Sequence, residues 1–99
     1  MTEKQIRKRI DRIKEELMKL EEMRPGSLTR QKRGDKGEYY QLSYTHLNCG
    51  RTEYIRPKFA NKIKRQIKNY KIFKNLTNEW VTFGIELSKL NMQIEKKDG

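Results

Sequence analysis

Residues 38–56 read EYYQLSYTHLNCGRTEYIR. Two runs in this stretch, 38–46 and 51–56, are rich in aromatic and β-branched side chains, and they flank the turn-forming Leu47-Asn48-Cys49-Gly50. That pattern predicts a β-hairpin over 38–56. With His46 opposite Arg51, alternation puts Tyr40, Leu42, Tyr44 and Ile55 on one face. Gln41, Ser43, Thr45, Thr52, Tyr54 and Arg56 fall on the other. The first face is the expected core, and the second is a polar sheet surface with an arginine at its end.

On the N-terminal side, residues 26–37 (GSLTRQKRGDKG) are polar and basic with three glycines, and they read as a loop. Before them, Ile6, Ile10, Ile13, Leu17 and Leu20 recur at steps of four and three, the narrow stripe of a helix that packs along one seam. Thr2 and Gln5 have the spacing of a capping box, and Pro25-Gly26 is a stop signal, so the first helix is expected over 3–24. On the C-terminal side, Pro57 suits a first helical turn. Phe59, Ile63, Ile67 and Tyr70 share one side of the helix that follows, and Phe73, Leu76, Trp80, Phe83, Leu87, Leu90 and Ile94 continue the register. The expected second helix covers 57–96 without a break at Gly84 or at Asn75-Leu76-Thr77-Asn78. The expected architecture is α+β in one domain over 1–99: helix, basic loop, β-hairpin, long helix, with the two helices forming an antiparallel, coiled-coil-like pair.

The first helix is too short to cover the whole second one. The apolar residues from Phe73 to Ile94 are therefore expected to form a seam for a second copy of the chain, as a homodimer, or for a larger protein partner.

The chain is 37% charged and only 33% hydrophobic, enough for a modest core. Its net charge of +11 is not evenly spread. Residues 1–23 carry seven Lys/Arg against six Asp/Glu, residues 24–74 fourteen against three, and residues 75–99 three against four. Solubility alone does not require such segregation; a polyanionic partner does. One cysteine, Cys49, allows no internal disulfide. The opening MTEKQIRKRI lacks the apolar run of a leader, and no stretch has the length of a membrane span, so a cytoplasmic protein with no membrane partner is expected.

Four blocks carry a resemblance: Met23-Arg24-Pro25-Gly26-Ser27-Leu28, Tyr39-Tyr40-Gln41-Leu42-Ser43-Tyr44-Thr45, Gly50-Arg51-Thr52-Glu53-Tyr54-Ile55-Arg56-Pro57, and Asn69-Tyr70-Lys71-Ile72-Phe73. With these the chain resembles a family of small prokaryotic proteins of no established activity, often seen near transposases and other mobile elements. Members commonly carry a CG-x-x-x-C-x-C cluster between the first two blocks, which suits a metal knuckle. Residues 29–38 here hold no cysteine, so a metal does not transfer with the resemblance.

Candidate chemistry lies in the cations. On a helical wheel Lys58, Lys62, Lys64, Arg65, Lys68 and Lys71 lie opposite Phe59, Ile63, Ile67 and Tyr70, with Asn61, Gln66 and Asn69 among them. Such a face can track phosphates while the amides reach sugar or base edges. Arg30, Lys32, Arg33 and Lys36 read as a basic arm, and Arg51 and Arg56 extend the cluster from the hairpin. Tyr39, Tyr40, Tyr44 and Tyr54 are either core or stacking platforms for unpaired bases. His46 and Cys49 are too few for a zinc site, and no nucleophile, base or two-metal motif is present, so neither an enzyme nor a cofactor is expected. The expected function is nucleic-acid binding. DNA is favoured over RNA through the mobile-element or viral setting that the resemblance implies. The alternative is a protein-interaction module, such as a phage- or transposon-encoded inhibitor or accessory subunit docking on a larger enzyme.

Overall fold

A computed structural model describes residues 1–32 and 34–98, and the side chains of all of these except Lys36 and residues 95–98. The elements are α1 (Glu3–Met18), β1 (Ser27–Lys32), a 3-10 turn at Gly34–Lys36, β2 (Glu38–His46), β3 (Cys49–Ile55), a second 3-10 turn at Pro57–Phe59, and α2 (Ala60–Asp98). The fold is α+β, with a three-stranded antiparallel sheet of order β1-β2-β3. The chain divides into two compact units, one of residues 1–20 with 72–99 and one of residues 21–71.

In the helical unit, the Thr2 hydroxyl accepts from the Gln5 N–H at 3.3 Å, and the Gln5 amide oxygen accepts from the Thr2 N–H at 3.0 Å. This closed capping box satisfies two donors that a helix start leaves without partners. Ile6, Ile10 and Ile13 of α1 and Leu76 of α2 are buried. Phe73, Phe83, Leu87 and Leu90 are half-buried, and the Lys14 ammonium lies 5.3 Å over the Trp80 ring. Much of the stripe expected to receive a second copy is thus used within the chain; of its members only Trp80 and Ile94 are exposed. At the polar patch Asn75-Leu76-Thr77-Asn78 the helix runs on, and Thr77 donates to the Phe73 and Lys74 carbonyls of its own helix, while the Asn78 carbonyl accepts from Thr82.

α1 ends at Met18, six residues before the expected stop at 24. Its last turn tightens, with the Lys19 and Leu20 N–H groups donating to Glu16 and Leu17. The residues that follow find partners elsewhere, in the second unit. The Arg24 N–H donates to the Gln66 carbonyl at 3.2 Å, Asn69 donates to the Glu22 carbonyl at 3.0 Å, and Gln66 donates to the Glu22 carboxylate at 3.0 Å. Tertiary hydrogen bonds replace the helical ones.

The segment expected as a loop over 26–37 is half strand. Residues 27–32 form β1, which pairs in full with β2 from Ser27↔Ser43 to Lys32↔Glu38. Leu28 is its one apolar residue, so no hydrophobic alternation announced it; the unpaired edge of β2 supplied the reason to extend. The hairpin loop is two residues shorter than the expected 47–50. His46 pairs with Cys49, leaving a two-residue turn of Leu47 and Asn48, both at positive φ (52° and 66°) as type I′ geometry requires. The register shift relative to the expectation is two residues, so no side chain changes face.

Tyr40, Leu42, Tyr44 and Ile55 do share one face, and it carries the core: Leu42, Ile55 and Ile67 are buried, with Leu28, Tyr40, Tyr44 and Ile63 packed against them. Pro25-Gly26 brings the chain against this core at an unusual distance. A Cβ on Gly26, where φ is +146°, would stand 2.6 Å from Leu42 Cδ1.

Gly26→Ala is therefore expected to lower stability by about 2–3 kcal/mol, from overpacking and backbone strain together, in a urea titration followed by circular dichroism. Leu47 has the opposite defect, an exposed side chain on a left-handed backbone. Leu47→Asn should raise stability by up to about 1 kcal/mol, because asparagine tolerates that conformation better.

Candidate nucleic-acid interface

The core side of α2 determines where its cations point. Ala60 and Ile67 are buried, and Ile63 and Tyr70 are half-buried. With 3.6 residues per turn, Asn61, Lys62, Arg65 and Lys68 are carried to the far side, while Lys64 and Lys71, each four residues after a buried one, flank the core; these and Lys58 in the preceding 3-10 turn are all exposed. No acid occurs between Lys58 and Lys74. Two of the ammonium groups sit over aromatic rings, Lys58 over Phe59 at 5.0 Å and Lys64 over Tyr40 at 5.5 Å. Such contacts hold a flexible lysine without neutralising it. Over residues 58–71 this cationic arc is roughly 20 Å long.

The other expected contacts do not form one surface with equal standing. Arg30 makes a two-pronged hydrogen-bonded ion pair with Glu38, through Nε at 2.9 Å and through Nη2. The hydrogen bond and charge of Glu38 raise the Arg30 pKa further, and the carboxylate offsets the charge that a phosphate would meet. Lys32 ends β1 opposite Glu38, Arg51 lies opposite Tyr44, and Arg56 follows the end of β3; all three are exposed. Arg33 and the Lys36 side chain lie outside the described residues.

Two amides expected to reach base edges are engaged elsewhere. Gln66 and Asn69 are half-buried and donate to Glu22. Asn61 is the one amide left on the cationic arc.

Strand alternation sorts the sheet by charge in a way that the sequence reading did not foresee. Arg30, Lys32, Glu38, Arg51 and Glu53 all share the register face of Leu42. The reverse face holds Ser27, Thr29, Gln31, Tyr39, Gln41, Ser43, Thr45, Gly50, Thr52 and Tyr54, with no charged residue. Arg56 lies past the end of β3 and is not part of it. Tyr39 and Tyr54 pair across this face with ring centroids 5.4 Å apart, while Tyr40 and Tyr44 belong to the core. The signal was present in the alternation of β1, but it becomes visible only once 27–32 is known to be a strand.

Arg24, the first cation of the basic segment, is structural. Its guanidinium lies 4.9 Å over the Tyr44 ring and 3.5 Å from the Glu53 carboxylate, and the Tyr44 hydroxyl donates to the same carboxylate at 2.9 Å. The Tyr44 hydrogen bond foremost, then Arg24, holds the Glu53 carboxyl below its ordinary pKa, against an opposing effect of burial.

Among the described residues no three of His, Cys, Asp and Glu come together as a metal site. His46 and the exposed Cys49 face each other across the hairpin turn. No helix is long and apolar enough to cross a membrane among the described residues. No family model, curated protein or solved structure matches the chain.

Because the folded pKa of Glu53 is depressed, its contribution to stability is present above the ordinary carboxylate range and is lost as pH falls through the folded value. Glu53→Gln should cost less than about 1 kcal/mol at neutral pH, since the pair is partly exposed. The gap from the unaltered protein should close in acid, as read by chemical denaturation at a series of pH values.

Proposed function

We propose that the protein binds nucleic acid through the exposed cations of α2 and of the 3-10 turn before it, from Lys58 to Lys71, by contacts to phosphates, and that duplex DNA is its ligand. The observation that carries this reading is the arc itself: six exposed cations, no interspersed acid, and a helix anchored in a core. A solvated helix face ordinarily mixes its charges, as α1 does with the Glu3–Arg7 pair. Phosphates spaced along a duplex reward an unmixed one. Arg51, Arg56 and Lys32 are secondary contacts.

Binding of this kind is indifferent to sequence. Gln66 and Asn69 are committed to Glu22, so lysine and arginine dominate the arc. Such cations position a protein on a backbone and carry little base information. The choice of DNA rests on the mobile-element setting implied by the resemblance.

Fluorescence anisotropy with a labelled duplex should give a log–log salt slope on the order of −3 to −5, for four or five displaced counterions. Scrambled duplexes should bind alike. A Lys64/Arg65/Lys68/Lys71 charge-removing variant should weaken binding by on the order of tenfold or more, against a much smaller loss for Lys4/Lys8/Lys14. A slope near zero, or equal losses at the two places, would overturn the proposal. Binding of polyglutamate as strong as that of DNA would instead favour docking on an acidic protein.

A further inference from the structure

A second apolar line runs along α2 within the helical unit. Val81, Ile85 and Met92 are 61%, 53% and 57% exposed, although each is a large apolar side chain. With Ser88 between the last two, they recur at steps of four, three and four, which places them on one side of a helix. None of them belongs to the Phe73–Ile94 stripe. Beside the line lies a shallow depression lined by Gly84, Leu87, Ser88, Asn91 and Met92. A Cβ built on Gly84 would meet nothing within 4 Å.

We infer that this line is the contact surface for a second copy of the chain, paired antiparallel through its own Val81-Ile85-Ser88-Met92. The spacing is the same read in either direction, so a two-fold axis between residues 86 and 87 sets Val81 against Met92 of the second copy and Ile85 against its Ser88. The match is also one of size, since each Ile85 meets the other copy's small Ser88, next to the depression at Gly84. An isologous contact needs this kind of self-complementarity.

Charge selects the same place. Two chains of net charge +11 repel, and residues 58–74 hold seven cations without an acid. Residues 75–94 hold only Glu79, Glu86 and Lys89, and none of these is on the line. The contact is small, with three large side chains per copy against the roughly 800 Å² per partner of a standard interface, so its strength is micromolar rather than nanomolar.

Sedimentation equilibrium without nucleic acid tests this independently of DNA binding. The expected result is a monomer–dimer equilibrium at roughly 100 µM that strengthens as salt screens the net charge, the reverse of the salt effect on DNA. Ile85→Lys should abolish dimer, whereas Met18→Lys, at a still more exposed apolar site away from the line, should not. Gly84→Leu keeps the helix and should also dissociate the dimer. In a Cys49→Ser background, Ile85→Cys and Ser88→Cys chains mixed together should cross-link with each other more readily than Ser88→Cys with itself. A monomer at all concentrations, or a dimer indifferent to both Ile85→Lys and Gly84→Leu, would overturn the inference.

Discussion

Leu42 sits at the centre of the middle strand with no exposed surface, between Leu28 on one neighbour and Glu53 on the other. The sheet unit is organised around that burial. Ile67 and Ile55 close over the same face, and Gly26 passes so near that no side chain fits there. An isolated two-stranded hairpin is marginal in water. A third strand and a covering helix turn it into a layered core, and the close approach at Gly26 is what lets the chain turn directly from the end of its α1 connection into β1.

The same burial orients the charges. Because α2 commits Ala60, Ile63, Ile67 and Tyr70 to the core side, its cations are left to the rest of the helix surface, and each of them is exposed. The strands behave alike: their charged residues share the register face of the core and leave the reverse face neutral. Arg24 shows what happens to a cation that does not reach the surface. It is half-buried, paired with Glu53 and stacked on Tyr44, and it orients the entering chain rather than a ligand. Counting cations along the sequence overstates the site, because Arg24 and Arg30 are already partnered.

How much of this was legible in advance differs element by element. The capping box at Thr2, the Ile6–Ile13 stripe, the hairpin and the long second helix all rest on patterns within one segment, and local periodicity reports those reliably. The hairpin faces survived a mistaken loop because the error was an even number of residues. The stripe from Phe73 to Ile94 lies on a continuous helix, as its periodicity implies. An apolar stripe says that something covers it, and here α1 of the same chain serves that need over much of its length.

By itself the sequence determined the order and type of the helices and the hairpin, the core face of residues 40, 42, 44 and 55, and the concentration of cations between residues 24 and 74. These are properties of neighbours three or four apart on a helix, or two apart on a strand. Only the tertiary structure decided that α1 stops at Met18, that residues 27–32 are a strand, and that Gln66 and Asn69 serve Glu22 instead of a ligand. Each of these turns on hydrogen bonds beyond the reach of helix or strand periodicity, from six to sixteen residues apart for β1 and more than forty for Glu22 and Arg24, to a strand edge or a helix flank that exists only after folding. No local pattern encodes a partner that the chain has yet to bring near.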